Sequence, residues 1–197
     1  EEALRALAEE VATPTGRAVE PVVTDLGDVA SCRALVDAAT TRFGGVDVLV
    51  NVATLGGGNA PIDEADWDLW RRAFEVNVLG TLAVLEAVRL ALGQVQRLVY
   101  ASSAAVFGPP EAYPAGRVAD DVLLTPSTHY GVFKCCNEGN ARIYFQDFGL
   151  SSVGLRPWTV YGVGRDFGMT SEPTRAIKCL ALGRKYHIRY GCGQGLE

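Results

Sequence analysis

The chain has 197 residues, 48% of them hydrophobic and 21% charged, and a formal net charge of −5. Such a composition supplies the core of one domain, or of one domain and part of another, and excludes a disordered chain. The acidic balance gives no electrostatic basis for a nucleic-acid or anionic-membrane partner, and no apolar run reaches the roughly 18 residues of a membrane span.

Residues 3–11 read as the end of an amphipathic helix, and the acidic start, Glu1-Glu2-Ala3-Leu4-Arg5, does not suit a secretory signal. Val19 to Val23 is a short β-branched run broken by Pro21 and ending at Thr24-Asp25-Leu26. Asp28 is placed to cap a helix in which Val29, Cys32, Leu35, Val36, Ala39 and Phe43 recur at helical spacing, and Gly44-Gly45 stops it. Val46 to Val52 is nearly continuous in apolar residues, which predicts a strand buried on both faces of a parallel sheet. After Gly56-Gly57-Gly58 a long helix is expected over about Glu64–Leu92, then a strand from Arg97 to Ala101 ending at Ser102-Ser103. A proline-rich loop leads to a helix over His129–Phe148, a strand near Ser152–Arg156, a helix near Pro173–Leu182 and a short strand near Tyr186–Tyr190. Strand and helix alternate, the pattern of a doubly wound parallel α/β sheet, in which ligands bind at the carboxyl ends of the strands.

Cys32, Cys135, Cys136, Cys179 and Cys192 form no C-x-x-C pair, and their number is odd. They read as free thiols of a reducing cytoplasm, with no metal site.

Tyr130 and Lys134 are four residues apart on a predicted helix and share a face. A free tyrosine, with a pKa of about 10, is a poor base at neutral pH, and an ammonium beside it favours the phenolate. The pair can then move a proton to or from a hydroxyl while hydride leaves or joins the carbon. Ser103 follows a buried strand, where its hydroxyl can steady a substrate oxygen opposite the tyrosine. The alternative for that serine is a backbone cap.

Three segments occur in this order: Leu98-Val99-Tyr100-Ala101-Ser102-Ser103-Ala104-Ala105-Val106-Phe107-Gly108, Tyr130-Gly131-Val132-Phe133-Lys134 and Leu155-Arg156-Pro157-Trp158-Thr159-Val160-Tyr161-Gly162. With them the chain resembles the short-chain dehydrogenase/reductase superfamily, in its extended branch of NAD-dependent epimerases and dehydratases. The resemblance implies a Rossmann-type domain over 1–156 and the start of a substrate-binding region over 157–197. It implies Tyr130 as catalytic acid/base, Lys134 as the residue that tunes it and binds the ribose, and Ser103 as the substrate-orienting hydroxyl. Asp25 and Leu26 would meet the adenine. Val52, Ala53 and Thr54 would form the backbone turn beside the cofactor, Asn77 would help order the lysine, and Pro157 would lie near the nicotinamide carboxamide. The cofactor implied is NAD, with NADP open. The substrate implied is a small molecule, a sugar or nucleotide sugar, and the assembly a homodimer.

The sequence departs from that family in two ways. Arg42 to Ala53 reads closer to the single-domain branch, with the change near Asn77–Thr81. The glycine fingerprint that seats a pyrophosphate on a helix N-terminus is absent, since Gly56-Gly57-Gly58 and Gly191-Cys192-Gly193-Gln194-Gly195 have the wrong context. An incomplete Rossmann-type domain is therefore expected, a fragment with about 50 residues missing upstream and on the order of 100 downstream. Three readings stand: an epimerase or dehydratase of a nucleotide sugar, an NAD(P)-dependent alcohol or sugar dehydrogenase, and an inactive remnant or interaction module.

Overall fold

The computed structural model describes residues 1–56, 62–92, 97–114, 118–168 and 170–188. The chain divides into two compact units, Glu1–Arg156 and Pro157–Glu197.

The first unit opens with α1 (Glu2–Thr15), closed by Gly16 in the left-handed conformation. Helix α2 (Val29–Phe43) starts where Asp28 accepts hydrogen bonds from the amides of Ala30 and Ser31, and ends at Gly44 with φ 83°. The stretch expected as one helix over 64–92 is three pieces: α3 (Trp67–Phe74), a π-helical turn (Glu75–Gly80) and α4 (Thr81–Leu92). Strand β1 (Arg97–Ala101) leads through loops to α5 (His129–Phe148), which Thr128 caps through the Gly131 amide, and then to β2 (Ser151–Leu155). Strands β1 and β2 are parallel, with Val99 opposite Val153. The three elements make one β-α-β unit, because parallel neighbours need a crossover and α5 is that crossover.

Side chains alternate across β1 as the pleat requires. Leu98 and Tyr100 face a core with Leu85 of α4, Ala141 and Tyr144 of α5 and Leu150. A second core joins Cys32 and Val36 of α2 to Val84 and Val88 of α4. A third joins Ala73, Val78 and Phe133 at the junction of α3, the π turn and α5, with Trp70 and Phe74 against it. Full burial of each such valine, leucine or phenylalanine is worth about 1.5–3 kcal/mol. On β1 and β2, Val99, Val153 and Leu155 remain exposed.

The expected strand over 46–52 is corrected. Those residues form no strand, nor does the β-branched run at 19–23, so the described sheet has two strands, β1 and β2. The apolar run at 46–52 behaves as one-sided rather than buried: Val46 and Leu49 pack on the α2–α4 core, while Val48, Val50 and Val52 are 76%, 72% and 70% exposed. A ladder needs a hydrogen-bonding neighbour, and among the described residues this run has none. The expected strand near 186–190 is also not formed at 186–188, and its remainder lies outside the described residues, as do Gly57, Gly58, Gly191, Gly193, Gly195 and Cys192. In the second unit α6 (Glu172–Ala181) lies close to its expected place, and the Gly162 amide donates to Thr174 Oγ1 at 2.9 Å. Among the described residues no helix is long and apolar enough to cross a membrane.

Candidate active site

Helix α5 starts at the carboxyl end of the sheet, so its first turns carry Tyr130 and Lys134 to where β1 ends. Lys134 is buried, and its Nζ donates to the carbonyl of Ala101, the last residue of β1, at 2.9 Å. The same Nζ lies 5.7 Å from the centre of the Tyr130 ring. Burial pushes the Lys134 ammonium below its usual pKa.

Ser103 follows β1 in extended conformation, and its Oγ accepts from the Ala105 amide at 3.1 Å, capping the short turn Ala104–Val106. The cap uses the oxygen as acceptor and leaves the hydroxyl proton to be donated. Capping and substrate orientation are therefore compatible in one serine. The turn lies directly on α5: a Cβ placed on Gly131 would fall 2.2 Å from the Ala105 carbonyl oxygen and 2.8 Å from Pro126 Cβ. The absence of a side chain beside Tyr130 is what allows the Ser103 loop to approach its helix.

Asn77 sits in the π turn, 2% exposed. Its Oδ1 accepts from Thr54 Oγ1 at 3.0 Å and from the Leu55 amide at 2.8 Å, and its Nδ2 donates to the Leu55 carbonyl at 2.9 Å. Its own carbonyl accepts from Asn137 Nδ2 at 2.9 Å, one turn along α5 from Lys134. The 54–55 loop, the π turn and α5 are thus tied through one asparagine. Val52 and Ala53, which precede this loop, are exposed.

Asp25 is exposed, and its Oδ1 accepts from the Gly27 amide at 2.9 Å and from Arg72 of α3. The Gly27 amide, then Arg72, hold its carboxyl below the usual carboxylate range. Leu26 packs beside the α2–α4 core, and its carbonyl abuts Gly80, where a Cβ would come within 2.2 Å. Pro157 is the first residue of the second unit.

The structure thus brings Ser103, Tyr130 and Lys134 together at the end of β1, links Thr54 with Asn77, and sets Asp25 and Leu26 against α3 and the π turn. Sequence reasoning missed Asn137, Glu138, Ser102 and Arg72 as participants. Glu138 Oε1 accepts from Ser102 Oγ at 2.5 Å and from Arg156 Nε at 2.9 Å, and its Oε2 accepts from Arg156 Nη2 at 2.9 Å. The one sequence signal was its place four residues beyond Lys134, on the same helical face.

The architecture is that of the short-chain dehydrogenases. It aligns with the alcohol dehydrogenase from the archaeon Thermococcus sibiricus, solved in complex with 5-hydroxy-NADP, at a TM-score of 0.66 and 20% identity, over 92% of this chain and 76% of that one. The model of the NAD dependent epimerase/dehydratase family matches residues 4–195, and the chain belongs to that family. It is 32% identical over 122 residues to the uncharacterized UDP-glucose epimerase YtcB of Bacillus subtilis (strain 168), a match covering 60% of this chain and 34% of that protein. It is 44% identical over 190 residues to the (5R,7aS)-5-hydroxy-7a-methyl-1-oxo-2,3,5,6,7,7a-hexahydro-1H-indene-carboxyl-CoA reductase of Mycobacterium tuberculosis (strain ATCC 25618 / H37Rv), covering 89% of this chain and 70% of that one. The chain therefore spans about a third of the length of the Bacillus relative.

Proposed function

We propose that the protein is a cytoplasmic NAD(P)-dependent enzyme that acts on a sugar or nucleotide sugar by hydride transfer at a carbinol carbon, with Tyr130 as acid/base. The observation that carries this reading is the convergence at the end of β1: Lys134 Nζ 5.7 Å from the Tyr130 ring, with the Ser103 turn pressed onto the same helix at Gly131.

The residues present fit the ribose and adenine ends of a dinucleotide. Lys134 spends one of three ammonium protons on Ala101 and has two for ribose hydroxyls. Asp25 uses Oδ1 for Gly27 and Arg72, which leaves Oδ2 as an acceptor for an exocyclic amine. Leu26, Val52, Ala53, Thr54, Asn77 and Pro157 complete the proposed cofactor contacts. A bound nicotinamide supplies the hydride acceptor. Ser103 donates to the substrate oxygen, Tyr130 takes the hydroxyl proton as the C–O bond becomes a carbonyl, and Lys134 stabilises the phenolate. Return of hydride to the other face of the carbonyl carbon, with Tyr130 giving the proton back to its oxygen, would give epimerisation with no net change in the cofactor. Residues 157–197 are proposed as the start of the substrate-binding region.

The test is incubation of the full-length protein with NAD or NADP and UDP-glucose, following both sugar epimers and absorbance of reduced cofactor. Interconversion of epimers without net reduction, lost in Tyr130→Phe, supports the reading. Full activity in that variant would sink it. A second reading, a dehydrogenase or reductase that releases reduced or oxidised cofactor, draws on the 44% identity to the Mycobacterium reductase. Net accumulation of reduced cofactor with an alcohol substrate selects it. Titration of NAD against residues 1–197 decides the non-enzymatic reading, which saturable binding excludes.

A further inference from the structure

We propose that Glu138 is a positioning residue of this site: by clamping Ser102 and Arg156 it holds the ends of β1 and β2, and so fixes Ser103 and Lys134 Nζ beside Tyr130. The inference rests on the functional reading above for its consequence in catalysis, and on geometry alone for the positions.

Glu138 is mostly enclosed, with its side chain 15% exposed and that of Arg156 25% exposed. Both carboxylate oxygens are used. Arg156 grips them in a two-pronged pair, and Ser102 takes a further lone pair of Oε1. Arg156 is fixed in turn, with its guanidinium 5.0 Å over the Phe107 ring and its Nη1 3.4 Å from the Asp120 carbonyl. Ser102 is buried, and its amide donates to the Leu155 carbonyl at 2.7 Å, extending the β1–β2 ladder by one bond.

Successive residues at the end of β1 are therefore held by side chains one turn apart on α5. The Ala101 carbonyl takes Lys134, and the Ser102 hydroxyl gives to Glu138. The next residue is Ser103. Its place relative to Tyr130 follows from these two anchors and from the Gly131 contact. Stability alone gives no reason for such an arrangement, because a buried ion pair is commonly no more stabilising than apolar residues of the same volume. What a two-pronged pair adds is a fixed orientation. A proton relay needs that, because misplacement by about 1 Å can cost on the order of 100-fold in rate.

The experiment uses full-length protein labelled with ¹³Cε-lysine, free of cofactor, with the Lys134 resonance assigned by its loss in Lys134→Met. Its pH titration is compared in wild type, Glu138→Gln and Arg156→Lys. The positioning role predicts that freeing the end of β1 opens Lys134 to water, so that its titration moves up toward the free-lysine range in both variants. A charge effect works the other way in Glu138→Gln, since removing a carboxylate disfavours the ammonium, and Arg156→Lys keeps every charge. A rise in both variants therefore reports geometry. An unchanged or lowered titration in the folded variants overturns the proposal. Arg156→Lys carries the test if Glu138→Gln does not fold. Under the proposed reaction the variants lose roughly 10- to 100-fold in kcat with KM little changed. A wild type inactive on every alcohol offered refutes the functional reading, while the lysine titration still decides the role of Glu138.

Discussion

Gly131→Ala offers the sharpest test of how the site is assembled. An added Cβ would lie 2.2 Å from the Ala105 carbonyl oxygen, where 3.0 Å is the floor for real contacts, so the turn must retreat by about 0.8 Å. Both obstructing groups are stiff: one is the carbonyl of a capped turn, the other a proline ring at 2.8 Å. Overpacking of this kind costs about 1–3 kcal/mol. Replacing glycine by alanine within a helix returns about 0.5–1 kcal/mol, so the net loss of stability is about 0–2.5 kcal/mol. Activity should suffer far more, because Ser103 belongs to the displaced turn, and a shift of this size costs on the order of 100-fold in kcat/KM. Gly139→Ala on the same helix is the control, since none of the described residues lies within 4 Å of its added Cβ. It should gain about 0.5–1 kcal/mol and keep wild-type activity. Urea unfolding and steady-state kinetics on both variants give the result. Gly131→Ala with kcat/KM within threefold of wild type, or Gly139→Ala destabilised, would refute the close-approach argument.

Asn77→Ala removes three side-chain hydrogen bonds to the 54–55 loop at a buried site, and at about 0.5–1.5 kcal/mol each it should lower stability by roughly 2–4 kcal/mol, read from the urea midpoint. Burial alone would raise the Glu138 carboxyl, but the hydrogen bonds from Arg156 and Ser102 outweigh it and hold the group below its usual value of 4.5. Its contribution to stability is thus complete above about pH 4.5 and is lost as pH falls through the lower folded value, so wild type and Glu138→Gln should converge in stability as pH falls below 4.5, measured by thermal melts across that range. Lys134 has the opposite sign: its folded pKa lies below the usual 10.5, so burying the ammonium opposes folding at neutral pH. Stability should rise as pH climbs through that lowered value toward 10.5, and Lys134→Met should abolish the rise.

What the sequence made legible was local. Asp28 and Gly44 bound α2 because their side chain and backbone satisfy its ends without help from elsewhere. Helix α5 and both strands of the β-α-β unit fall where apolar spacing puts them. The Tyr130–Lys134 pair was visible because a helix converts a spacing of four into a shared face. The run at 46–52 was misread because apolar composition records what a segment can bury, whereas strand formation also needs a partner for its backbone. The helix break at 75–80 was invisible because its causes lie elsewhere in the chain: Leu55 draws on the Asn77 side chain, and Asn137 on its carbonyl. Glu138 and Arg156 are 18 residues apart, so nothing in either local pattern names the other.

The stripe Tyr130, Lys134 and Glu138 explains why one helix matters to both fold and chemistry. Side chains four apart rise about 6 Å along the axis each time, so the stripe runs inward from the helix start. Tyr130, the proposed acid/base, stands at its outer end, Lys134 reaches the last carbonyl of β1, and Glu138 closes on the hydroxyl after it and on the arginine after β2. The deeper two anchor the frame against which the first must act. The α2–α4 core is built mainly of apolar contacts, with the Cys32 thiol directed at the carbonyls of Asp25 and Leu26. Under the proposed reaction, perturbing the stripe below Tyr130 should cost activity as well as stability, because it would move the proton acceptor relative to the carbon from which hydride leaves.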